Sequence, residues 1–268
     1  MPPWQVYCGV GQHARSLLNI QRHLSLWGRA PIRYVSASQS NVGLKRKLNE
    51  DRVLERPECG LWVVADGMGG HDAGEVASAA IVDALAAIPE SPDLERFAAQ
   101  AADALLEVNA ALRSMARSAP RPTTIGSTAV VLAISGGEFR CIWAGDSRAY
   151  RVRGAEIEQI SRDHSLVQDL VAAGLVKADE AEAHPQAHVI TRAVGASDDL
   201  ELESAAGDVQ ANDIFLLASD GLTRVVASDE ILKVLRTMNP SQAAAALIET
   251  VLSRGAPDNV TLAICRVG

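Results

Sequence analysis

The stretch that decides the fold is LWVVADGMGGHDAGE, residues 61–75. Its first five residues are apolar, which predicts a strand buried on both faces that stops at Asp66 and Gly67. An Asp-Gly pair between apolar runs, taken alone, is a common hairpin signal. The pattern recurs, however: Ile214–Ala218 is followed by Ser219, Asp220 and Gly221, and residues 141–144 are followed by Gly145 and Asp146. We therefore predict three strands that each end in a carboxylate.

Carboxylates at the ends of buried strands indicate a cation. Three like charges brought together repel one another unless a positive ion neutralises them. Carboxylate oxygens select Mg²⁺ or Mn²⁺, whereas zinc prefers histidine and cysteine. Two further acidic segments, residues 49–51 and 258–259, precede predicted strands, although each alone is an ordinary turn. Together the five segments predict a divalent-metal site at one edge of a sheet, where the glycines after Asp66 and Asp220 let the backbone approach the ion.

Length and composition limit the class of protein. The 268 residues, 48% of them hydrophobic, are enough to bury the core of one large α+β or α/β domain. The net charge of −8 is unevenly spread, because residues 1–49 carry seven bases and no acid while the rest carries 18 bases against 33 acids. That acidic balance argues against nucleic-acid binding. No apolar run approaches the length of a membrane span.

The cysteines and the N-terminal segment bear on the cellular compartment of the protein. Four cysteines, at positions 8, 59, 141 and 265, form no CxxC pair, which favours a reduced, cytoplasmic compartment over a disulfide framework or a zinc site. Residues 1–31 are basic and lack the apolar core of a signal peptide. We interpret them as a disordered or weakly helical extension, or an overlong gene model, before a domain at 32–268. A basic docking tail, supported by charge and by Trp4, Tyr7 and Trp27, is the alternative.

Hydrophobic periodicity predicts alternating blocks of helix and strand. Helices are predicted over residues 74–88, 92–118, 228–236 and 241–254, and the first is expected to bury Val76 with Ile81 and Leu85. Strands are predicted over residues 32–38, 52–55, 61–65, 127–135, 138–144, 147–153, 156–160, 214–218 and 260–267. The four between 127 and 160 are expected to form one antiparallel meander. Residues 163–195 are interpreted as an insertion in which Ser165 caps a short helix that ends at Gly174.

The order of the motifs resembles that of a known family. They are SNVGLKRKLNED, VVADGMGGHDAGE, TTIGSTAVV, WAGDSRAY, RDHSLV, HVITRAVG, LLASDGL and APDNVT, and the resemblance covers about residues 33–268. This order is similar to that of the metal-dependent protein phosphatases, the type 2C serine/threonine phosphatases. Met68, the compact length and the flap-like insertion resemble the bacterial members. The resemblance implies an α+β fold, a four-layer α-β-β-α sandwich of two mainly antiparallel sheets flanked by helix pairs.

The resemblance also implies a role for each acidic residue. Asp66 is expected to bridge two Mn²⁺ or Mg²⁺ ions, and the Gly67 carbonyl to bind one of them. The other implied ligands are Asp220 and Asp258 at the first ion, Glu50 and Asp51 at the second, and Asp146 with Asp220 at a third, weaker ion. Arg46 is implied as the phosphate anchor, because its planar fork can hold two phosphate oxygens. The implied supporting elements are Ser127, Thr128 and the RDHS segment at 162–165, with residues 165–190 as a flap over the substrate.

The implied chemistry is direct hydrolysis. Two ions lower the pKa of a shared water, the resulting hydroxide attacks phosphorus in line, and Arg46 helps to neutralise the equatorial oxygens. Many eukaryotic members carry a histidine at the position of Met68, so the general acid is unassigned here. His71-Asp72 resembles the dyad of HD-type phosphohydrolases but lacks its other ligands. The His184 and His188 pair has helical spacing, yet Pro185 favours a surface loop.

The predicted function is hydrolysis of phosphoserine and phosphothreonine on proteins. The expected partners are phosphorylated proteins and a cognate bacterial serine/threonine kinase, and we expect a cytoplasmic monomer. A weaker resemblance in size and motif wording points to the phosphatases that accompany type VI secretion kinases. Two alternatives are a phosphatase-fold sensor with little activity and a hydrolase of small phosphate esters. The sensor is disfavoured because Asp66, Asp220 and Asp258 are all present.

Overall fold

The computed structural model describes residues 33–69, 73–120, 123–177, 180–181, 184–187 and 189–268. Residues Tyr34–Gly268 form one compact unit. The predicted extension at residues 1–31 lies outside the described residues. The strands are β1 (Tyr34–Asn41), β2 (Asp51–Arg56), β3 (Leu61–Gly69), β4 (Ile125–Ser127), β5 (Ala129–Ser135), β6 (Glu138–Ala144), β7 (Arg148–Arg153), β8 (Glu156–Gln159), β9 (Glu203–Asp208), β10 (Ile214–Ala218) and β11 (Val260–Val267).

The helices bracket these strands in sequence. They are α1 (Ala73–Ala86), α2 (Leu94–Ser118), α3 (Leu166–Ala172), α4 (Asp220–Thr223), α5 (Ser228–Thr237) and α6 (Pro240–Ser253). The start of α2 is capped by Asp93, whose side chain accepts the N–H of Arg96. The start of α6 carries a capping box between Asn239 and Gln242, with Pro240 in its first turn. Among the helices that the structure describes, none combines the length and apolar character needed to cross a bilayer.

The strands form two antiparallel sheets. Sheet 1 has the order β1-β11-β10-β7-β8, and sheet 2 has the order β2-β3-β5-β6-β9, with β4 paired to the far end of β3. Every neighbouring pair in both sheets is antiparallel. Because successive side chains in a strand point to opposite faces, each sheet can bury both of its faces.

Each sheet packs on helices on one side and on the other sheet on the other side. Alternate residues of β3, such as Leu61 and Val63, join a buried cluster with α1 and α2. A second cluster joins β10 and β11 to α5 and α6. Between the sheets, aromatic rings from opposite layers meet: Tyr34 lies 5.2 Å from Trp62, and Phe139 lies 5.3 Å from Phe215, centroid to centroid. The predicted four-layer α-β-β-α sandwich is therefore observed.

Four local predictions are wrong. The strands at 127–160 are not one meander, because β5 and β6 belong to sheet 2 while β7 and β8 belong to sheet 1. The chain crosses between sheets at Gly145, whose φ of 115° is readily adopted only by glycine. The predicted strand at 127–135 is split into β4 and β5 at Thr128. Val76 is 42% exposed on α1 rather than buried. Strand β9 was not predicted, since its sequence, ESAAGD, holds only small and acidic residues.

Candidate metal centre

Asp66 lies within strand β3 rather than at its end. The strand continues to Gly69 because it changes partners: residues Leu61 to Val64 pair with β5, and residues Gly67 to Gly69 pair with β4. Thr128 bridges the change, since its backbone N–H donates to the Asp66 carbonyl at 2.8 Å and its Oγ1 accepts the Asp66 N–H at 3.1 Å. The prediction that the strand stops at Asp66 is therefore wrong.

Asp51 is the neighbour of Asp66 across the β2–β3 ladder. Its side chain is 1% exposed. The Ser219 hydroxyl donates to Asp51 Oδ2 at 2.8 Å, while Oδ1 is buried without a hydrogen-bond partner among the described residues. A buried carboxylate oxygen without a partner is costly, so this atom is suited to a cation.

Asp220 and Asp258 are brought together through their neighbours. Asp220 opens the short helix α4, and a Cβ added to Gly221 would lie 1.9 Å from the Asn259 carbonyl oxygen. Similarly, a Cβ on Gly67 would lie 2.1 Å from the Gly74 carbonyl oxygen. At both positions the absent side chain makes room for protein backbone, which differs from the predicted role of these glycines in admitting an ion.

Asn259 ties the Asp258 turn to the loop that carries Glu50. Its Oδ1 accepts the backbone N–H of Glu50 at 2.8 Å, and its Nδ2 donates to the carbonyls of Val42 and Leu48, each at 2.9 Å. The Glu50 carbonyl in turn accepts the Gly67 N–H at 3.1 Å. The sequence predicted Asn259 only as a turn residue. Its role in holding the Glu50 loop depends on hydrogen bonds to residues more than 200 positions away in the chain.

Asp146 is held from the other side by the predicted supporting residues. The Ser147 hydroxyl lies 2.7 Å from Thr128 Oγ1, which links Asp146 to the Asp66 strand. In the RDHS segment, the backbone N–H of His164 donates to the Gly145 carbonyl at 2.9 Å, and Asp163 accepts two guanidinium nitrogens of Arg148. Ser165 caps α3 by accepting the Gln168 N–H, as predicted.

Two arginines neutralise part of the acidic group. Arg46 Nη2 lies 2.8 Å from Asp258 Oδ2, so the predicted phosphate anchor is paired with a predicted metal ligand. Arg224 was not predicted, yet its Nη2 lies 3.0 Å from Asp146 Oδ2 and its Nη1 lies 2.8 Å from Asp220 Oδ2. The only sequence signal for Arg224 is its spacing of four residues from Asp220.

Burial and mutual repulsion set the electrostatics of the site. Burial, and then the charges of Asp51, Asp220, Asp146 and Asp258, hold the pKa of Asp66 well above its usual range. Burial is likewise the main reason that the pKa of Asp51 and that of Asp146 each rise to about 7. Such acids ionise readily only if a cation joins them, and the arrangement therefore fits divalent ions.

The acids surround this site without converging on one point. In the described part of the chain, the only group of three possible ligand atoms within 4.8 Å of one another is formed by Glu58, Cys59 and Glu90. In the acidic group, Ser219, Arg46 and Arg224 hold individual carboxylates by direct bonds. Ligation of one ion by three of these acids therefore requires a rearrangement of their side chains.

The raised pKa values lead to a pH-dependent prediction. An acid whose pKa is higher in the folded than in the unfolded protein stabilises the fold at low pH, and this contribution is lost as the pH rises through the folded value. The metal-free protein should thus lose stability between about pH 4 and about pH 8, while Mn²⁺ should bind best to the ionised acids. We expect Mn²⁺ to raise Tm more at about pH 8 than at about pH 5.5. Thermal unfolding with and without MnCl₂ measures this, and an equal rise at both pH values would contradict it.

Of the residues in the two histidine patterns, only His184 and its neighbours up to residue 187 lie in the described part of the chain. His71, Asp72 and His188 lie outside the described residues. His184 lies in a turn, where its Nδ1 accepts the Gln186 N–H at 3.2 Å. Met68 lies in β3 opposite Gly126, so the general acid stays unassigned.

Known proteins are similar to this chain in sequence and in fold. A family model described as Protein phosphatase 2C matches residues 36–169. A solved structure, PppA, "a key regulatory component of T6SS in Pseudomonas aeruginosa", is 46% identical with a TM-score of 0.80, over 88% of this chain and 98% of that chain. The chain belongs to the protein phosphatase 2C family. The predicted family and the predicted α+β fold are thereby confirmed.

Other members of the protein phosphatase 2C family extend the comparison. The serine/threonine protein phosphatase PstP of Mycobacterium tuberculosis is 36% identical over 231 residues, which cover 86% of this chain and 44% of PstP. The chain thus spans less than half the length of that relative. A structure of the PstP catalytic domain in complex with two manganese ions is 34% identical with a TM-score of 0.78, over 89% of this chain and 99% of that chain.

Proposed function

We propose that the chain is a Mn²⁺/Mg²⁺-dependent protein-serine/threonine phosphatase. The observation that carries the proposal is the position of Asp66, which adjoins Asp51 in the ladder and is acted on by the charges of Asp146, Asp220 and Asp258. The buried Asp51 Oδ1 without a partner supports the same conclusion. The names of the relatives, which are serine/threonine protein phosphatases, agree with it.

The residues that would hold two ions come from both sheets. Asp66 would serve both ions and the Gly67 carbonyl one of them, while Asp220 and Asp258 would complete the first. Glu50 and Asp51 would serve the second, directly or through water. When bound, the ions would supply a water of lowered pKa and positive charge for the phosphoryl oxygens. The two manganese ions in the PstP catalytic domain support this number.

The described cysteines do not offer a competing nucleophile. Burial raises the pKa of the Cys141 thiol to about 12 and also raises the pKa of Cys265 and of Cys59. The thiolate is the nucleophilic form, so these residues are unreactive near neutral pH. A covalent phosphocysteine is therefore disfavoured, and this agrees with the proposed hydrolysis by water.

Arg46 would bind the substrate phosphate at the rim of the site. Its side chain is 53% exposed and reaches the acidic group through Asp258. A guanidinium has five donors in a plane, so it can hold phosphate oxygens while the acids hold ions. Binding of an ion to Asp258 would release Arg46 for this task, since the same carboxylate cannot serve both equally well.

A cavity lies beside the acidic group, and Asp146 and Asp220 are among the residues that line it. It has a volume of about 190 Å³ and lies between α3 and the Asp146 loop. Its lining includes Ser165, Val167 and Gln168 of the predicted flap. We infer that the flap contacts the polypeptide around a phosphorylated residue. Phosphorylated proteins are thus the proposed substrates, with a bacterial serine/threonine kinase as the opposing enzyme and a monomer as the active form.

A link to type VI secretion is part of the proposal because PppA, a component of that system by its description, is 46% identical. The opposing kinase would then belong to the same system. Co-expression of the chain with such a kinase, followed by phosphosite analysis of the kinase, tests this link. Unchanged kinase phosphorylation would contradict it.

The direct test is hydrolysis of a phosphothreonine peptide by metal-stripped protein, with and without Mn²⁺. Activity that appears only with Mn²⁺ supports the proposal. Activity on p-nitrophenyl phosphate alone would favour a hydrolase of small esters, and absence of activity in folded protein would favour a sensor. A flap variant, Gln168→Ala, should impair the peptide reaction more than the reaction of the small ester.

Replacing Arg46 with alanine should weaken substrate binding. Loss of charge-assisted hydrogen bonds worth about 1.5–3 kcal/mol corresponds to a rise in KM of about tenfold to a hundredfold. Mn²⁺ affinity, measured by calorimetry, should stay the same or rise slightly, because Arg46 is not an ion ligand and its loss leaves Asp258 Oδ2 to the ion. Lys47→Ala, in the same exposed loop, is the matched control. An equal loss of Mn²⁺ affinity in Arg46→Ala would show that Arg46 serves the metal site instead.

A further inference from the structure

Arg224 joins two acids that the family resemblance assigns to a third ion. Its Nη2 lies 3.0 Å from Asp146 Oδ2, and its Nη1 lies 2.8 Å from Asp220 Oδ2. The Asp146 side chain is 5% exposed and that of Asp220 is 14% exposed. A single guanidinium therefore lies between two largely buried carboxylates.

Local structure places the guanidinium there. Arg224 ends the one-turn helix α4, and its backbone N–H donates to the Asp220 carbonyl at 2.9 Å. Residues four apart in a helical turn share a face, so the Arg224 side chain lies beside that of Asp220. Asp146 lies in the loop between β6 and β7, where the chain crosses from one sheet to the other. Arg224 thus connects this loop to α4.

This arrangement does not fit a third ion. Arg224 occupies one oxygen of each acid, and Asp146 keeps only Oδ1 without a hydrogen-bond partner in the described residues. Mg²⁺ and Mn²⁺ require several oxygen ligands in a near-octahedral arrangement. A third ion at this place would have to displace two charge-assisted hydrogen bonds from a cation that is covalently part of the chain.

We propose that Arg224 takes the place of the third cation, so that this chain binds two divalent ions and no more. The inference rests on the proposed two-ion function. Because the guanidinium is covalently part of the chain, its positive charge between Asp146 and Asp220 cannot diffuse away as a free ion can. Occupancy of this position then does not depend on the concentration of free metal.

The experiment counts bound Mn²⁺ by native mass spectrometry and by calorimetry at saturating Mn²⁺. The wild type should bind two ions. Arg224→Ala should bind a third, weaker ion, because the guanidinium no longer holds Asp146 and Asp220 together. Arg224→Ala combined with Asp146→Asn should return the number to two. Arg254→Ala is the matched control, since Arg254 forms a paired contact with Glu230 on the surface and its loss should leave two ions.

The outcomes separate this inference from the proposed function. Three ions in the wild type would overturn the inference and leave the proposed function standing. Two ions in folded Arg224→Ala would also overturn it. Fewer than two ions in the wild type would contradict the proposed function, and the inference with it. If circular dichroism shows that Arg224→Ala is unfolded, Arg224→Gln keeps hydrogen-bond donors without the charge, and the same count decides.

Discussion

Asp66→Asn is expected to lower hydrolysis of a phosphothreonine peptide by at least about a thousandfold while the fold stays intact. The proposed bridging position makes Asp66 a ligand of both ions, and metal ions contribute several kcal/mol of transition-state stabilisation. The metal-free variant should be as stable as the wild type or more stable. In the wild type, burial and neighbouring acids raise the pKa of Asp66, so the ionised carboxylate destabilises the folded protein. The neutral amide of the variant removes that cost.

The measurement pairs initial rates in saturating Mn²⁺ with thermal unfolding in its absence. Asp199→Asn is the matched control, because Asp199 is an exposed aspartate away from the acidic group. It should leave both the rate and Tm unchanged. Full activity of Asp66→Asn would refute the two-ion site. Loss of activity with a lowered Tm in the metal-free variant would show instead that Asp66 supports the fold.

Gly221→Ala is expected to weaken Mn²⁺ binding by about tenfold to a hundredfold, the usual effect of disturbing groups that orient metal ligands. The added Cβ would lie 1.9 Å from the Asn259 carbonyl oxygen, so α4 and the Asp258 turn must separate. Asp220 and Asp258 move with them. Overpacking of this kind also costs about 1–3 kcal/mol of folding free energy.

Gly154→Ala provides the control for lost stability. Gly154 lies in the β7–β8 turn with a φ of 62° and with no atom within 4 Å of an added Cβ. Alanine there costs about 1–2 kcal/mol through its left-handed backbone, yet it leaves the acids in place. Calorimetry should show wild-type Mn²⁺ affinity for Gly154→Ala and reduced affinity for Gly221→Ala. Equal affinities would contradict the role given to the contact between Gly221 and Asn259.

Strand and helix positions were predictable wherever one residue pattern dominates. Strands β6, β10 and β11 have the predicted bounds, since β10 is a continuous apolar run and apolar residues predominate in the other two. Strand β9 was not predictable, because its small and acidic residues form a strand only by pairing with β6. The assignment of β7 to the other sheet was also hidden, since both sheets require the same alternation of side chains.

The acids proposed for the site could be selected from the sequence because the strand-acid pattern occurs three times in the chain. Their partners were not. Ser219, Asn259 and Arg224 act through contacts with residues that lie up to 217 positions away. A polar side chain acquires such a role only after folding, and local sequence contains little trace of it. The spacing from Asp220 to Arg224 is the exception.

The distribution of the acids over two sheets links metal supply to the cohesion of the sandwich. Asp51 and Asp66 belong to sheet 2, whereas Asp220 and Asp258 follow or precede strands of sheet 1. Ions held by both groups would bind only when the layers are correctly seated on each other. By mass action, free metal at a hundred times its Kd would add about 2.7 kcal/mol to the free energy of unfolding. The availability of divalent metal would then affect the lifetime of the folded protein as well as the rate of the proposed hydrolysis.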